Sequence, residues 1–297
     1  MSHESFRTER ILSLASPNIT QKSLLALEHC MGQPPQPPRP SDKVPGLWVC
    51  RWAPRVISTS IAQEISALCA SAQLDFAILP PDQAQLRDFA LLTMDMDSTL
   101  ITIECIDELG DWCGKKAEIS AITEAAMRGE IRDYAESLRR RVALLAGLEV
   151  SALESVYRER LRLSPGAEGL LGAARQAGLK TLLVSGGFTF FTDRLRERLN
   201  LDFVRSNQLE IVDQRLTGRV HGEIVDAEVK ATELARICAQ LGRSPQAAIA
   251  VGDGANDLKM IALAGLGVAY HAKPVVAAQA RVAVRFGGLD TLAALLN

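Results

Sequence analysis

Two carboxylates spaced two residues apart, directly after an apolar run, are the first residues in this chain whose types and spacing suit chemistry. Asp95-Met96-Asp97-Ser98-Thr99-Leu100 follows Ala90-Leu91-Leu92-Thr93-Met94. Carboxylates crowded at the mouth of an apolar core are costly unless a cation or a proton compensates them. Alone, the hexapeptide reads equally as an acidic turn capping a helix at Ser98 or Thr99. A second acidic pair, Asp253 and Asp257 in Gly252-Asp253-Gly254-Ala255-Asn256-Asp257, follows the apolar run Ala248-Ile249-Ala250-Val251. That segment alone is a simple turn, but it converges with Asp95 if the two runs are neighbouring strands. Several carboxylate oxygens with no His or Cys among them match a hard cation, and Mg2+ is the usual choice where phosphate is the other ligand. Ser185-Gly186-Gly187 ends a third apolar run, Thr181-Leu182-Leu183-Val184, where free backbone N–H groups and a following helix N-terminus suit an anion. Lys230 can bring a compact positive charge to the same point, although a single lysine on a helix is more often merely solvated.

The elements that must position these residues are legible in outline. The three runs are apolar on both faces and separated by helical segments, as in the buried strands of a parallel sheet, which places ligands at the carboxyl ends of its strands. Between about Ile103 and Arg162 apolar residues recur at helical spacing, as in Ile106, Leu109 and Trp112, and again in Leu138, Val142 and Leu145. A helical lid is expected there, with Ser164-Pro165-Gly166 returning the chain to the core. Leu209 to Val212, a turn at Asp213-Gln214-Arg215, and Thr217 to Val225 predict an antiparallel hairpin before the helix that carries Lys230. Pro34 to Pro40 is too rich in proline for a helix interior or a central strand and reads as a linker or extended loop. After it, Leu47–Trp52 and Phe76–Leu79 read as strands and Ile61–Ala72 as a helix, a small β-α-β appendage. The expectation is an α/β fold with a Rossmann-like parallel sheet over residues 86–297. A helical cap at about 103–163 follows its first core strand, and a small α+β N-terminal domain occupies residues 1–85.

Bulk properties exclude other classes. The chain has 297 residues, 47% of them hydrophobic, and a formal charge of −2. No global field draws nucleic acid or an anionic membrane, so an anionic substrate must be attracted locally. Met1 to Arg10 lack an apolar signal core, and no apolar run approaches membrane-spanning length. The six cysteines form no CxxC pair, which leaves no visible zinc or redox motif and predicts a cytoplasmic protein with reduced thiols.

The set of motifs resembles the haloacid-dehalogenase superfamily of phosphatases, with its Asp-x-Asp-x-Thr, strand-terminal Ser/Thr, lysine and Gly-Asp-x-x-x-Asp. Over about residues 87–297 it is similar to the branch acting on phosphoserine. That closer resemblance also includes Glu104-Cys105-Ile106-Asp107-Glu108, Ala126-Met127-Arg128-Gly129-Glu130, Ser137-Leu138-Arg139-Arg140-Arg141-Val142, Ser185-Gly186-Gly187-Phe188 and His271-Ala272-Lys273-Pro274. The resemblance implies Asp95 as nucleophile and Asp97 as general acid and base. It implies Mg2+ held by the Asp95 and Asp253 side chains and the Asp97 carbonyl. Ser185, Gly186 and Lys230 would bind the phosphoryl group, with Asn256 and Asp257 completing the shell. It further implies Glu104 for the substrate ammonium, Arg141 for its carboxylate and Met127 over its stem, while Arg139 and Arg140 read as a solvated helix face. Tyr134 stands where the family commonly has phenylalanine, a change expected to alter the lid and not the reaction.

Two other readings remain at this point. One keeps the chemistry with a different small phosphomonoester or with phosphoryl transfer between alcohols. The other is an amino-acid sensor acting through the appendage, for which a structural or homodimer-forming role is the better expectation.

Overall fold

The computed structural model describes residues 9–128, 130–131, 133–277 and 280–296. The chain begins with β1 (Glu9–Ser16), α1 (Gln21–Met31), β2 (Arg39–Pro40), β3 (Trp48–Arg51), β4 (Arg55–Val56), α2 (Thr59–Ser71) and β5 (Asp75–Leu79). β6 (Leu91–Met94) then leads into four helices, α3 (Cys105–Trp112), α4 (Lys116–Met127), α5 (Tyr134–Ala143) and α6 (Val150–Ser155). There follow α7 (Ala167–Gln176), β7 (Lys180–Phe188), α8 (Thr189–Leu199), β8 (Phe203–Val212), β9 (Arg215–His221) and α9 (Ala227–Gln240). The chain closes with β10 (Ala248–Gly252), α10 (Leu258–Leu263), β11 (Leu266–Tyr270), α11 (Pro274–Ala277), β12 (Val282–Val284) and α12 (Thr291–Leu295).

The apolar runs become β6, β7 and β10, and every residue of β6, β10 and β11 is buried. Strand order through the core is β12-β11-β10-β6-β7-β8, all parallel. From β6 the chain winds outward through β7 and β8, then returns to the other side of β6 through β10. The crevice at that reversal is where an open parallel sheet binds ligands. Pairing of Met94 with Val251 sets the ends of β6 and β10 side by side, and the Asp95 amide donates to the Val251 carbonyl at 3.0 Å.

The four helices after β6 form a cap on a two-stranded stalk. Ile101 bridges Leu163, the Thr102 amide donates to Arg162, and the Ser164 amide donates to Leu100, both at 3.0 Å. The predicted hairpin is β8 and β9, with Asp213 and Gln214 at φ +48° and +61°, both in the left-handed region that a tight hairpin turn favours. Arg215 belongs to the second strand. This hairpin docks against the cap: the Gly147 amide donates to Leu216 at 2.8 Å and the Val150 amide to Gln214 at 3.0 Å. Gly218 is required there, since a Cβ would stand 2.9 Å from the Ala146 methyl and φ is +82°.

The N-terminal segment holds more structure than its sequence pattern announced. β1 and α1 precede the elements expected there, and β1 lies between β3 and β5, antiparallel to both. α1 starts at Thr20, whose hydroxyl accepts from the Ser23 amide, and ends at Gly32 with φ +63°. Arg39–Pro40 of the Pro-rich stretch forms an edge pair with β3, the part of a sheet that tolerates proline. β5 then pairs antiparallel with β12, so these strands extend the core sheet.

Asp75 pins that junction. Its buried carboxylate accepts from the amides of Arg285, Phe286 and Gly287 at 2.6, 3.1 and 2.8 Å. Replacing Asp75 by Ala strands three amide donors, and we expect a loss of about 3 kcal/mol in unfolding free energy. Urea denaturation measures it, and an unchanged midpoint would show that the junction carries no stability.

Candidate active site

Four of the acidic and basic residues singled out in the sequence meet at the ends of β6 and β10. Lys230, on the second turn of α9, is 1% exposed, and its ammonium lies 2.8 Å from both Asp95 Oδ1 and Asp257 Oδ1. The helix is fixed in place by Asp226, whose carboxylate caps the Glu228 and Val229 amides at 2.9 Å. Asp95 Oδ1 also accepts from the Met96 amide at 2.7 Å, while Oδ2 has a longer contact of 3.5 Å from Asn256. Asp257 Oδ2 accepts from the Gly254 amide at 3.1 Å, closing the Gly252–Asp257 turn on itself. Gly252 has to be glycine, because a Cβ there would meet the Asp257 carboxyl at 2.4 Å.

The turn after β6 reverses the chain so that Asp97 returns to the same mouth. Ser98 takes φ +55°, a left-handed conformation that costs a non-glycine residue roughly 1–2 kcal/mol. Its hydroxyl donates to Glu104 Oε1 at 2.6 Å, which holds the turn from the base of α3. Thr99, fully buried, donates its hydroxyl to Asp253 Oδ1 at 2.9 Å. Asp97 Oδ1 is buried without a hydrogen-bond partner among the described residues.

Lys230 and Lys273 against this many carboxylates leave the site short of positive charge, and burial raises the carboxylate pKa values further. Burial, then the Asp257 charge, pushes Asp95 up to about 7 against the pull of Lys230. Burial and Asp257 also raise Asp253 to about 6. Asp97 is held well above the usual carboxylate range by burial and by the charges of Glu104 and Asp95. For Lys230 burial opposes the charge, but Asp257 and Asp95 more than offset it, so its pKa is raised. Oxygens of Asp95, Asp253 and Asp257 lie within 4.8 Å of one another. This all-oxygen, charge-deficient set suits a hard divalent cation.

These residues line a cavity of about 680 Å3 between sheet and cap. Asp95, Asp97, Ser185, Gly186, Asp253 and Asn256 form its floor, and Glu104 and Arg141 its cap-side wall. Arg141 is half-buried, with Nε donating to the Ser137 carbonyl at 3.4 Å, while Arg139 and Arg140 are exposed and Arg140 pairs with Glu136. In the turn after β7's apolar run, Ser185 Oγ accepts from the Gly187 amide at 2.9 Å. The Met127 side chain and Gly129 lie outside the described residues.

Three contributors were not singled out from sequence. Asn207, fully buried on β8, donates to the Gly186 carbonyl and accepts from the Val225 amide, both at 2.8 Å. It braces the Ser185–Gly187 turn from behind, and nothing in the local pattern around Asn207 signals that. Thr99 was visible only as part of the acidic hexapeptide. Lys273 lines the cavity and its amide donates to the Asp253 carbonyl at 3.1 Å, a contact hinted at by the His271–Pro274 motif.

Fold, cap and site together place the chain among the haloacid dehalogenase-like hydrolases, whose family model matches residues 92–262; the chain belongs to this family. It is 60% identical over 224 residues to the phosphoserine phosphatase of a Polaromonas species, covering 74% of this chain and 94% of that one. Among solved structures, a HAD family hydrolase from Salmonella enterica serovar Typhi superposes with a TM-score of 0.89 at 31% identity, covering 97% of this chain and 99% of the other. A probable phosphoserine phosphatase from Vibrio cholerae gives 0.80 at 37% identity, over 98% and 86% of the two chains.

A pH signature follows for the metal-free protein. Unfolded aspartates lose their protons near 3.8, whereas folded Asp253 and Asp95 keep theirs to about 6 and about 7. The folded state binds more protons across that window, so these groups make stability fall as pH rises from about 4 to 7. In chelator, Asp253→Asn should flatten that fall relative to wild type in denaturation curves taken at several pH values. Identical slopes would contradict the raised equilibrium.

Proposed function

We propose that this chain hydrolyses O-phospho-L-serine to L-serine and inorganic phosphate, the last step of serine biosynthesis, through an aspartyl-phosphate on Asp95. The observation that carries the reading is the placement of a buried, lysine-held carboxylate on the floor of a cavity whose cap wall presents carboxylates, Glu104 and Asp107, together with one cation, Arg141. Phosphoserine carries an ammonium and a carboxylate beyond its phosphate, matching that wall in charge. The 60% identity to a phosphoserine phosphatase supports the same substrate.

Asp95 attacks phosphorus, and the bond from phosphorus to the serine oxygen breaks as Asp97 gives that oxygen its proton. Splitting hydrolysis into two displacements is the advantage of a carboxylate nucleophile. Asp97, now a carboxylate, takes a proton from water as the water oxygen attacks phosphorus and the bond to Asp95 opens. Its orphaned Oδ1 and raised pKa suit both duties. Lys230 favours the ionised form of Asp95 against the effect of burial and, with Ser185 and the Gly186 amide, balances charge on the phosphoryl oxygens. Mg2+, held by the Asp95 and Asp253 side chains and the Asp97 carbonyl, supplies when bound the charge that lets one anion approach another. Asn256 and Asp257 keep this floor in register.

Glu104 is engaged with Ser98 in this structure, so binding the substrate ammonium shares its carboxylate between the two. We read residues 1–85 as a small α+β domain and the protein as cytoplasmic. Six free cysteines, four of them buried, support a reducing compartment.

With Mg2+, wild type should release phosphate from phosphoserine in preference to phosphothreonine and sugar phosphates. Asp95→Asn should lose on the order of 10^4-fold in kcat, judged from the loss of other enzymatic nucleophiles. Phosphate release by that variant at the wild-type rate would sink the mechanism. Arg141→Ala should raise KM for phosphoserine about thirtyfold, the scale of one lost charged hydrogen bond, and leave p-nitrophenyl phosphate nearly unaffected. Equal effects on both substrates would count against the assigned carboxylate site.

A further inference from the structure

Tyr134 opens α5, the helix that also carries Arg141. The two lie seven residues apart, hence on one face of the helix and about 10 Å from each other along its axis. Both line the cavity. The Tyr134 ring packs against the main core cluster. Its hydroxyl reaches the phosphate turn: a Cβ built on Gly186 would stand 2.1 Å from the Tyr134 oxygen and 3.3 Å from Cζ. Gly186 is therefore glycine for a steric reason, since any side chain there would displace the phenol. On the other side of the same turn, a Cβ on Gly187 would meet Met96 Cε at 2.5 Å and Asp97 Oδ2 at 3.3 Å. The turn is thus held between the catalytic loop and the cap phenol.

No hydrogen bond joins the phenol to another described residue. Tyr134 is half-buried, and its hydroxyl keeps access to the cavity, so a ligand there can replace water as its partner. The charged groups around it are Arg141, Lys230, Asp95 and Asp97. Burial raises its pKa, so it remains a neutral O–H donor throughout the working range. Phosphoryl oxygens only accept hydrogen bonds, and the Ser185–Gly186 turn beneath the phenol is where they would sit.

We propose that Tyr134 is a further substrate-binding residue, its hydroxyl donating a hydrogen bond to a phosphoryl oxygen held at the Ser185–Gly186 turn. α5 then spans the substrate, with Arg141 at the carboxylate end and Tyr134 at the phosphate end. The cap closes on the phosphoryl group by a polar contact as well as by apolar cover. This inference rests on the functional reading above only in taking Ser185–Gly186 as the phosphate turn.

The test uses the full-length, Mg2+-loaded enzyme and Tyr134→Phe, which keeps the ring and removes only the oxygen. Inorganic phosphate is measured as a competitive inhibitor of p-nitrophenyl phosphate hydrolysis, alongside KM and kcat for that substrate and for phosphoserine. Loss of one hydrogen bond to a charged group should raise the inhibition constant of phosphate about tenfold. KM should rise by a similar factor for both substrates, with kcat and the melting temperature little changed. An unchanged phosphate inhibition constant would overturn the proposal, and so would a KM increase confined to phosphoserine, which would put the hydroxyl at the amino-acid end. If wild type hydrolyses p-nitrophenyl phosphate but not phosphoserine, the substrate reading fails, yet phosphate inhibition still decides the role of Tyr134.

Discussion

The ion pairs of Lys230 with Asp95 and Asp257 are the constraint on which the rest of the site depends. All three groups are withdrawn from water, and one ammonium is shared between two carboxylates at 2.8 Å each. Such a cluster is stable only where the geometry is good and remaining lone pairs are satisfied. The Gly254 amide and Asn256 meet that requirement on the outer oxygens of Asp257 and Asp95, and the Met96 amide adds a second donor to Asp95 Oδ1. Three elements far apart in sequence, the ends of β6 and β10 and the first half of α9, are thereby fixed to one another.

That arrangement is deliberately short of positive charge. With Asp97 and Asp253 added, acidic groups outnumber Lys230 and Lys273, and burial raises Asp95, Asp97 and Asp253 above their ordinary values. A site in this state favours a hard cation and shifts Asp97 toward its protonated form, two properties that suit phosphoryl transfer through a carboxylate. Charge deficiency and reactivity therefore have one physical origin, the desolvation of carboxylates by the sheet and cap.

The cap is held at both ends. Its stalk is the Ile101–Leu163 bridge, and its far side rests on the β8–β9 hairpin through Gly147, Leu148 and Val150. Arg141 and Tyr134 hang from one helix over the floor. At the opposite edge of the sheet, Asp75 ties β5 to the loop after β12, and His271 Nε2 contacts the Gly287 carbonyl of that loop at 2.9 Å. The N-terminal strands are thus hydrogen-bonded into the layer that carries the catalytic residues.

Much of this was legible in the chain itself. Apolar runs ending in Asp95, Ser185 and Gly252 announce buried parallel strands, because a strand covered on both faces has no polar alternation to obscure it. Asp213 and Gln214 mark their hairpin, and the helical spacing after Ile103 marks the cap. β1 and α1 were not legible, since their burial comes from packing against β3, β5 and α2 and not from a pattern of their own. Residue pattern alone could not separate Lys230 from any solvated lysine, or Arg141 from Arg139 and Arg140; only the family resemblance singled them out. Asn207 carries no local signal at all, and Tyr134 stood out only as a departure from the family's usual phenylalanine. Sequence determined the residue types and the strands that end in them, because hydrophobic periodicity is a local property. Which side chains meet, and so which ones titrate abnormally and enclose the substrate, was decided only by tertiary structure, because desolvation and hydrogen-bond geometry depend on neighbours distant along the chain.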